Sequence, residues 1–132
     1  MPPLTWTEAM SVGDATMDAQ HRQIIELLNL FERQPNEQLA FGAILSMICY
    51  ADSHFSDEEA LLARLEYPEL ELQRREHRAF LTQAHAFADE RLDDATLHAR
   101  MVDFLTRWFE RHILSEDMKY KSYAQKRVAA ST

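Results

Sequence analysis

Six side chains that commonly bind metal ions lie where the surrounding helix pattern is apolar. Imidazoles and carboxylates are costly to bury without partners, so each needs hydrogen bonds or a cation. All six donate through nitrogen or oxygen, and the two carboxylates can each bridge two ions. This set favours a pair of iron ions, or manganese in their place, over a structural zinc. The predicted metal ligands are His21, His54, Glu58, His77, His112 and Asp117.

The spacing of these residues directs them towards one axis. His54 and Glu58 are four residues apart and therefore project from the same side of a helix. His77 and His112 each continue an apolar helix face, and Asp117 follows His112 by five residues, at or beyond the expected helix end. In an antiparallel bundle the starts of the first and third helices meet the ends of the second and fourth. All six side chains can then converge in one layer.

Ordinary core packing is the alternative interpretation. A lone histidine on an apolar face is more often packed in a core than bound to metal, and six such residues at one bundle end are much harder to explain in this way. His85 and His98 fall outside the layer and are interpreted as surface or packing residues, and residues 74–76 as a solvated face. Cys49 is the single cysteine, which excludes an intrachain disulfide and a cysteine-based zinc cage, and it is expected to be a small buried hydrophobe.

Four amphipathic helical segments must position these side chains. Apolar residues recur every three or four positions in each, as in Ile24, Ile25 and Leu28 of the first. In the second, the residues expected on the core side include Phe41, Ile44, Leu45 and Ile48. The predicted helices span 18–33, 37–65, 68–92 and 95–114. The sequence therefore predicts an all-α protein: an antiparallel up-down-up-down four-helix bundle. Residues 1–132 are expected to form one domain, with an irregular arm over about 1–17 and a short polar tail over about 115–132.

The helix boundaries follow from breakers and capping residues. Pro35 separates the first two helices, and Pro68 suits the first turn of the third. Asp14 or Asp18 would cap the first helix, and Asn36 the second.

Composition narrows the classes of partner. The chain has 132 residues and a net charge of −8, and 46% of its residues are hydrophobic, as in a globular domain. An acidic balance argues against nucleic acid and anionic membranes as partners. The first residues lack the pattern of a secretory signal, and no apolar run approaches the roughly 20 residues that span a bilayer. We therefore expect a cytoplasmic protein without a nucleic-acid or membrane partner, whereas protein partners and oligomeric state do not follow from the sequence.

The chain also resembles the hemerythrin family, specifically its single-domain bacterial form, bacteriohemerythrin. The resemblance covers nearly the whole chain, and the order and spacing of its short motifs are more specific than any one motif. These motifs are LTW at 4–6, MDAQH at 17–21, HFSDEE at 54–59, YP at 67–68, EHRAF at 76–80 and WFERHILSED at 108–117.

The resemblance implies a non-heme di-iron centre, oxo- or hydroxo-bridged, that binds O2 or a similar diatomic ligand reversibly inside a four-helix bundle. Glu58 and Asp117 would be the bridging carboxylates. One iron would be held by His21 and His54 and would keep an open position for O2, and the other would be held by the two remaining histidines. The wall of the ligand pocket is predicted to consist of Ile24, Ile25, Phe55, Trp108 and Phe109.

Gln73 departs from the family pattern, which places a further histidine four residues before His77. The iron held by His77 and His112 would therefore lose a strong donor. Gln73 would offer its amide oxygen as a weaker ligand or leave room for water, so occupancy of that position could be incomplete.

These features favour an O2-binding protein for oxygen carriage, storage or sensing over an enzyme, because no residue resembles a dedicated catalytic base beyond the metal ligands. Incomplete coordination leaves two alternatives open. One is an iron-dependent peroxidase or a scavenger of nitric oxide or peroxide, and the other is an iron-storage bundle.

Overall fold

The computed structural model of the chain describes residues 4–34 and 36–131, so the predicted break at Pro35 and the two ends of the predicted domain lie outside the described residues. The described part contains α-helices and no strands. The helices are α1 (Ala15–Arg33), α2 (Glu37–Arg64), α3 (Leu70–Ala88), α4 (Ala95–His112) and α5 (Met118–Ser131). Across the described ranges, no helix combines the length and the apolarity that crossing a membrane requires.

Helices α1 to α4 form the predicted antiparallel bundle. The end of α1 meets the start of α4, where His98 Nε2 lies 2.9 Å from the carbonyl oxygen of Phe31. The start of α1 meets the end of α2, where Gln20 Oε1 lies 2.7 Å from His54 Nδ1. His98 therefore has the packing role that its place outside the ligand layer predicts.

Side-chain caps fix the starts of α1 and α2. Asp14 accepts a hydrogen bond from the backbone N–H of Met17 at 3.0 Å, so it is Asp14 that caps α1. Asp18 instead holds the arm, accepting from Ser11 Oγ at 2.6 Å and from the backbone N–H of Val12 at 2.9 Å. Asn36 caps α2 as predicted.

The turn between α2 and α3 has a left-handed residue that is not glycine. Glu66 has φ of +54°, and the next backbone N–H, of Tyr67, donates to the carbonyl oxygen of Leu62 at 3.0 Å. This is the hydrogen-bond pattern of a Schellman cap. Pro68 lies within the turn, so α3 begins at Leu70, two residues later than predicted.

Three predictions of burial on α2 are wrong. Phe41 and Leu45 were expected on the core side but are exposed, and Cys49 is exposed as well. The three lie four residues apart along one face of α2, and Ile44 and Ile48 fill the core from the neighbouring face. A long apolar helix allows either assignment from its pattern alone.

The predicted polar tail is wrong, because the chain stays helical to Ser131. Residues Ile113–Asp117 form a π-helical segment in which the N–H of Met118 donates to the carbonyl of Ile113. Helix α5 follows without a break. It is stabilised by burial of Tyr120 in a second apolar cluster with Val12, Met17, Leu62 and Tyr67.

The arm packs on the bundle through Met10 and Trp6. Met10 is buried in the main core, and Trp6 packs against its edge. The guanidinium of Arg22 lies 3.9 Å from the centre of the Trp6 ring, in a cation–π arrangement. Helix α1 also holds Leu4, whose N–H donates to the side-chain oxygen of Asn29.

Candidate metal centre

The fold brings all six predicted ligands into one buried layer. Each exposes 2% or less of its surface. They come from α1, α2, α3, the last residue of α4 and the last residue of the π-helical segment. The members of this layer are His21, His54, Glu58, His77, His112 and Asp117.

On one side of the layer, His21 and His54 face the two carboxylates. His21 Nε2 lies 3.3 Å from Glu58 Oε2 and 3.4 Å from Asp117 Oδ2, and His54 Nε2 lies 3.7 Å from Glu58 Oε2. We call this the His21/His54 side.

The other side has the same plan. His77 Nε2 lies 3.1 Å from Glu58 Oε1, and His112 Nε2 lies 3.2 Å from Asp117 Oδ1. We call this the His77/His112 side. Each carboxylate thus points one oxygen towards each pair of imidazoles, which is the arrangement that lets a carboxylate bridge two ions.

The outer nitrogens of two histidines have carboxylate partners. His77 Nδ1 lies 2.9 Å from Glu59 Oε2, and His112 Nδ1 lies 2.8 Å from Glu76 Oε2. A carboxylate only accepts hydrogen bonds, so each Nδ1 carries the proton and each Nε2 presents a lone pair to the centre. Partners of this kind orient metal-binding imidazoles and strengthen them as donors.

Gln20 sets the tautomer of a third histidine. The Gln20 amide nitrogen donates to Asp57 Oδ2 at 3.0 Å, which turns the amide oxygen towards His54 Nδ1. His54 therefore also presents an Nε2 lone pair to the centre. By contrast, His21 Nδ1 has no hydrogen-bond partner.

The inner atoms of the layer lack hydrogen-bond partners. In the described part of the chain, the buried side-chain nitrogen and oxygen atoms without a partner all belong to this layer or to Gln73, apart from Trp6 Nε1. They are His21 Nδ1 and Nε2, His54 Nε2, Glu58 Oε1, Gln73 Oε1, His77 Nε2, His112 Nε2 and Asp117 Oδ2. Lone pairs aimed at one another are unfavourable unless a cation lies between them, so these residues fit bound metal.

The ligand atoms also group by distance. One group of three comprises His21, His54 and Glu58, and a second comprises Glu58, His77 and His112. Within each group the donor atoms lie within 4.8 Å of one another. Because Glu58 belongs to both groups, the geometry suits two neighbouring ions.

Burial and charge shift the protonation of the layer in the metal-free chain. Burial lowers the pKa of His54 to about 3, which keeps this imidazole neutral and able to bind metal. Burial also acts to lower the pKa of His112, but the adjacent Asp117 carboxylate outweighs it and raises the pKa to about 9. Burial would raise the pKa of Glu58, yet contacts with His21 and His54 hold that pKa well below its usual range. Glu58 therefore stays ionised in the middle of the centre, and a metal ion that binds there would displace the proton held by His112.

Aromatic rings surround the imidazoles. Phe55 stacks on His77 with ring centres 3.9 Å apart, and Trp108 stacks on His112 at 4.7 Å. The edge of Phe109 meets His21 at 5.8 Å. The other two predicted wall residues, Ile24 and Ile25, are buried in the main core.

Gln73 lies within the layer and exposes only 1% of its surface. Its amide nitrogen donates to Asp117 Oδ1 at 3.0 Å, and its amide oxygen has no hydrogen-bond partner. A buried polar atom without a partner is costly, so this oxygen is available to a metal ion or to a bound small molecule.

The sequence pattern did not reveal the residues that support the ligands. Gln20, Glu59 and Glu76 each adjoin a predicted ligand in the chain, and that adjacency is the only signal. Glu76, interpreted as part of a solvated face, instead lies against His112. Tyr120 was placed in the tail, yet it is buried and its hydroxyl donates to Glu58 Oε2 at 2.8 Å.

Comparison with known proteins agrees with this geometry. The model of the hemerythrin HHE cation binding domain matches residues 12–124. The chain is 32% identical over 114 residues to a bacteriohemerythrin of Ralstonia nicotianae, covering 86% of this chain and 82% of that protein. It is 31% identical over 124 residues to a bacteriohemerythrin of Clostridium acetobutylicum, covering 87% of this chain and 96% of that protein. The chain belongs to the hemerythrin family.

Proposed function

We propose that this protein is a non-heme di-iron protein that binds O2 reversibly, for oxygen carriage, storage or sensing, with iron coordination altered at Gln73. The observation that supports this most directly is the set of unpartnered Nε2 atoms facing two shared, buried carboxylates. A pair of iron ions would supply the redox chemistry that reversible O2 binding requires. The cytoplasmic location remains a prediction of the sequence.

The ligand assignment follows from which atoms face each other. Glu58 and Asp117 would bridge the ions, because each directs one oxygen to the His21/His54 side and the other to the His77/His112 side. Each pair of imidazoles would hold one ion. Glu59 and Glu76 would keep the imidazoles of the second pair in the tautomer that binds metal.

The aromatic residues would control access of water to the centre. Phe55, Trp108 and Phe109 lie directly against three of the imidazoles. An apolar surround limits solvent access and lowers the local dielectric, which tunes the redox potential of a bound metal. These rings would therefore slow irreversible oxidation while leaving room for a small uncharged ligand.

Metal analysis together with an absorption spectrum tests the proposal. We expect protein purified without added metal to contain about two iron ions per chain, as two neighbouring ligand groups predict. The reduced protein should develop a visible charge-transfer band in air and lose it when oxygen is removed. Absence of iron after reconstitution with excess ferrous salt under argon would rule out the proposal.

The unpartnered oxygen of Gln73 favours one alternative, an iron-dependent peroxidase or scavenger of peroxide or nitric oxide. Incomplete coordination on the His77/His112 side would leave a position where such a substrate could react. Sustained consumption of hydrogen peroxide at many equivalents per iron pair, without a reversible oxygen spectrum, would favour this enzyme over the O2-binding protein.

Gln73 should also weaken iron retention. An amide oxygen is a poorer donor than an imidazole, so we expect Gln73→His to retain iron longer against a chelator and to autoxidise more slowly. The matched control is Gln38→His, which adds a histidine at an exposed position of α2. Equal retention and equal autoxidation in the Gln73→His and native proteins would contradict this part of the proposal.

A further inference from the structure

The two halves of the centre receive matching sets of protein atoms. The His21/His54 side has two imidazole nitrogens, with Glu58 Oε2 and Asp117 Oδ2. The His77/His112 side has two imidazole nitrogens, with Glu58 Oε1 and Asp117 Oδ1. Neither side has a third imidazole, because Gln73 occupies the position one helical turn before His77.

Hydrogen bonds to the two carboxylates extend the match, although the imidazole Nδ1 atoms have carboxylate partners only on the His77/His112 side. On the His21/His54 side, Tyr120 donates to Glu58 Oε2 at 2.8 Å, and on the His77/His112 side, Gln73 donates to Asp117 Oδ1 at 3.0 Å. The other oxygen of each carboxylate, Glu58 Oε1 and Asp117 Oδ2, has no hydrogen-bond partner. Each side therefore has one carboxylate oxygen that is a weaker metal ligand because it accepts a hydrogen bond. The other carboxylate oxygen on each side has no hydrogen bond.

The matching sets leave each metal position short of ligands. Two imidazoles and two carboxylate oxygens make four donors, and an octahedral iron ion takes six. On the His77/His112 side, the amide oxygen of Gln73 is buried next to the ligands and has no hydrogen-bond partner. That oxygen can accept a hydrogen bond from a protonated ligand, and an imidazole at the same position would instead fill the coordination sphere.

Resting on the proposed di-iron function, we propose that the two iron positions are nearly equivalent, and that the position next to Gln73 is a second binding site for a small exogenous ligand. Its ligands are water or a small anion such as azide. Gln73 contributes in two ways: it occupies the place of a third imidazole donor, and its amide oxygen accepts a hydrogen bond when the ligand is water.

Mössbauer spectroscopy tests the equivalence. In air-oxidised protein reconstituted with ⁵⁷Fe and free of added anions, we expect a single quadrupole doublet. Gln73→His should split it into two doublets, because one iron gains an imidazole. Two clearly separated doublets in the native protein would contradict the equivalence.

Azide titration tests the second ligand site. We expect two azide ions per iron pair in the native protein and in Tyr120→Phe, and one in Gln73→His. Gln73→Leu removes the amide but adds no metal donor, so it should still bind two, without loss of affinity, because the azide ion has no proton to donate to the Gln73 oxygen. Circular dichroism and iron analysis select the folded, loaded variants for comparison.

The outcomes separate this inference from the function on which it rests. A native protein that binds no iron overturns the di-iron proposal and this inference together. A native protein that binds two irons but only one azide overturns the second site alone and leaves the di-iron function standing. Equal azide stoichiometry in the native and Gln73→His proteins also overturns the role given to Gln73.

Discussion

The two ends of the bundle differ in the kind of side chain that they bury. At the end away from the candidate metal centre, Phe31, Ile44 and Leu105 are completely buried in an apolar core. At the other end, every buried polar or charged side chain of the described residues, apart from Thr106, belongs to the ligand layer or is Gln73. The apolar end needs no ligand to be stable. The ligand layer contains two buried carboxylates and several buried polar atoms without hydrogen-bond partners, so we expect a bound cation to stabilise it.

The difference indicates that the two ends of the bundle have separate roles. Phe31 follows His21 by ten residues, and Ile44 precedes His54 by ten, which is about 15 Å along each helix. Apolar packing at the far end can therefore hold the helices in register while the near end tolerates unfavourable contacts. We expect substitutions at the two ends to differ in how their effects depend on iron.

Glu58→Gln should have the largest effect. Glu58 faces both pairs of imidazoles, so losing its charge weakens both metal positions together. We expect iron content after reconstitution to fall from about two ions per chain to nearly none. Glu71→Gln, which removes the same charge from an exposed side chain, serves as the control and should keep its iron. Full iron content in Glu58→Gln would show that Glu58 is not a shared ligand.

Removal of iron should destabilise the ligand layer selectively. At free iron 100 to 1,000 times the dissociation constant, binding adds about 3–4 kcal/mol to the free energy of unfolding. Hydrogen exchange should therefore accelerate in residues 54–58 and 112–120 of the iron-free protein, with residues 40–48 little changed. Uniform acceleration along all helices would mean that the two ends are not independent.

Ile44→Val should have a smaller effect that does not depend on iron. Removing one buried methyl group costs about 0.5–1.5 kcal/mol of unfolding free energy. Because Ile44 lies at the apolar end, denaturant titrations should show the same loss with and without iron, and iron content should stay unchanged. A loss confined to the iron-loaded form would contradict the proposed separation.

Glu66→Gly should have the smallest effect, which is a gain in the free energy of unfolding. Relief of the left-handed backbone at Glu66, partly offset by the greater freedom of glycine in the unfolded chain, should add about 0.5–1 kcal/mol to the free energy of unfolding. The ion pair with Arg127 that is lost is largely exposed and contributes little. Glu66→Ala loses the same pair but keeps the strain, so thermal melting should show no gain for it.

The sequence was sufficient for the bundle and for the convergence of its six predicted ligands, because both depend on periodicity. His54 and Glu58 share a face even if the predicted helix ends are wrong by a few residues. Asn36 marks the start of α2 because its side chain can accept a hydrogen bond from the first turn. The exposure of Phe41 and Leu45 could not be predicted in the same way, since an apolar residue gives no sign of which face the neighbouring helices cover.

The rest of the site depends on contacts between distant parts of the chain. Glu76 and His112 are 36 residues apart, and Tyr120 and Glu58 are 62 apart, so no local pattern connects them. Continuation of the last helix was missed for a related reason. The hydrophobic period changes within Ile113–Asp117, which resembles a helix end when α-helical spacing is assumed.

That π-helical segment makes chain length at residues 113–117 more critical than residue identity. In an uninterrupted α-helix, Asp117 would point about 140° away from His112, and the wider turn brings the two side chains to the same face. Deleting Ser115, an exposed residue without a role in the centre, would place Asp117 four residues after His112, about 40° away on a regular α-helix, and would keep the carboxylate on the same face. Inserting one residue beside Ser115 would instead rotate everything after it by about 100°. One carboxylate and the tyrosine behind the other would then leave the centre together. A search for variants that abolish metal binding without touching a ligand should therefore begin with single-residue insertions in this turn.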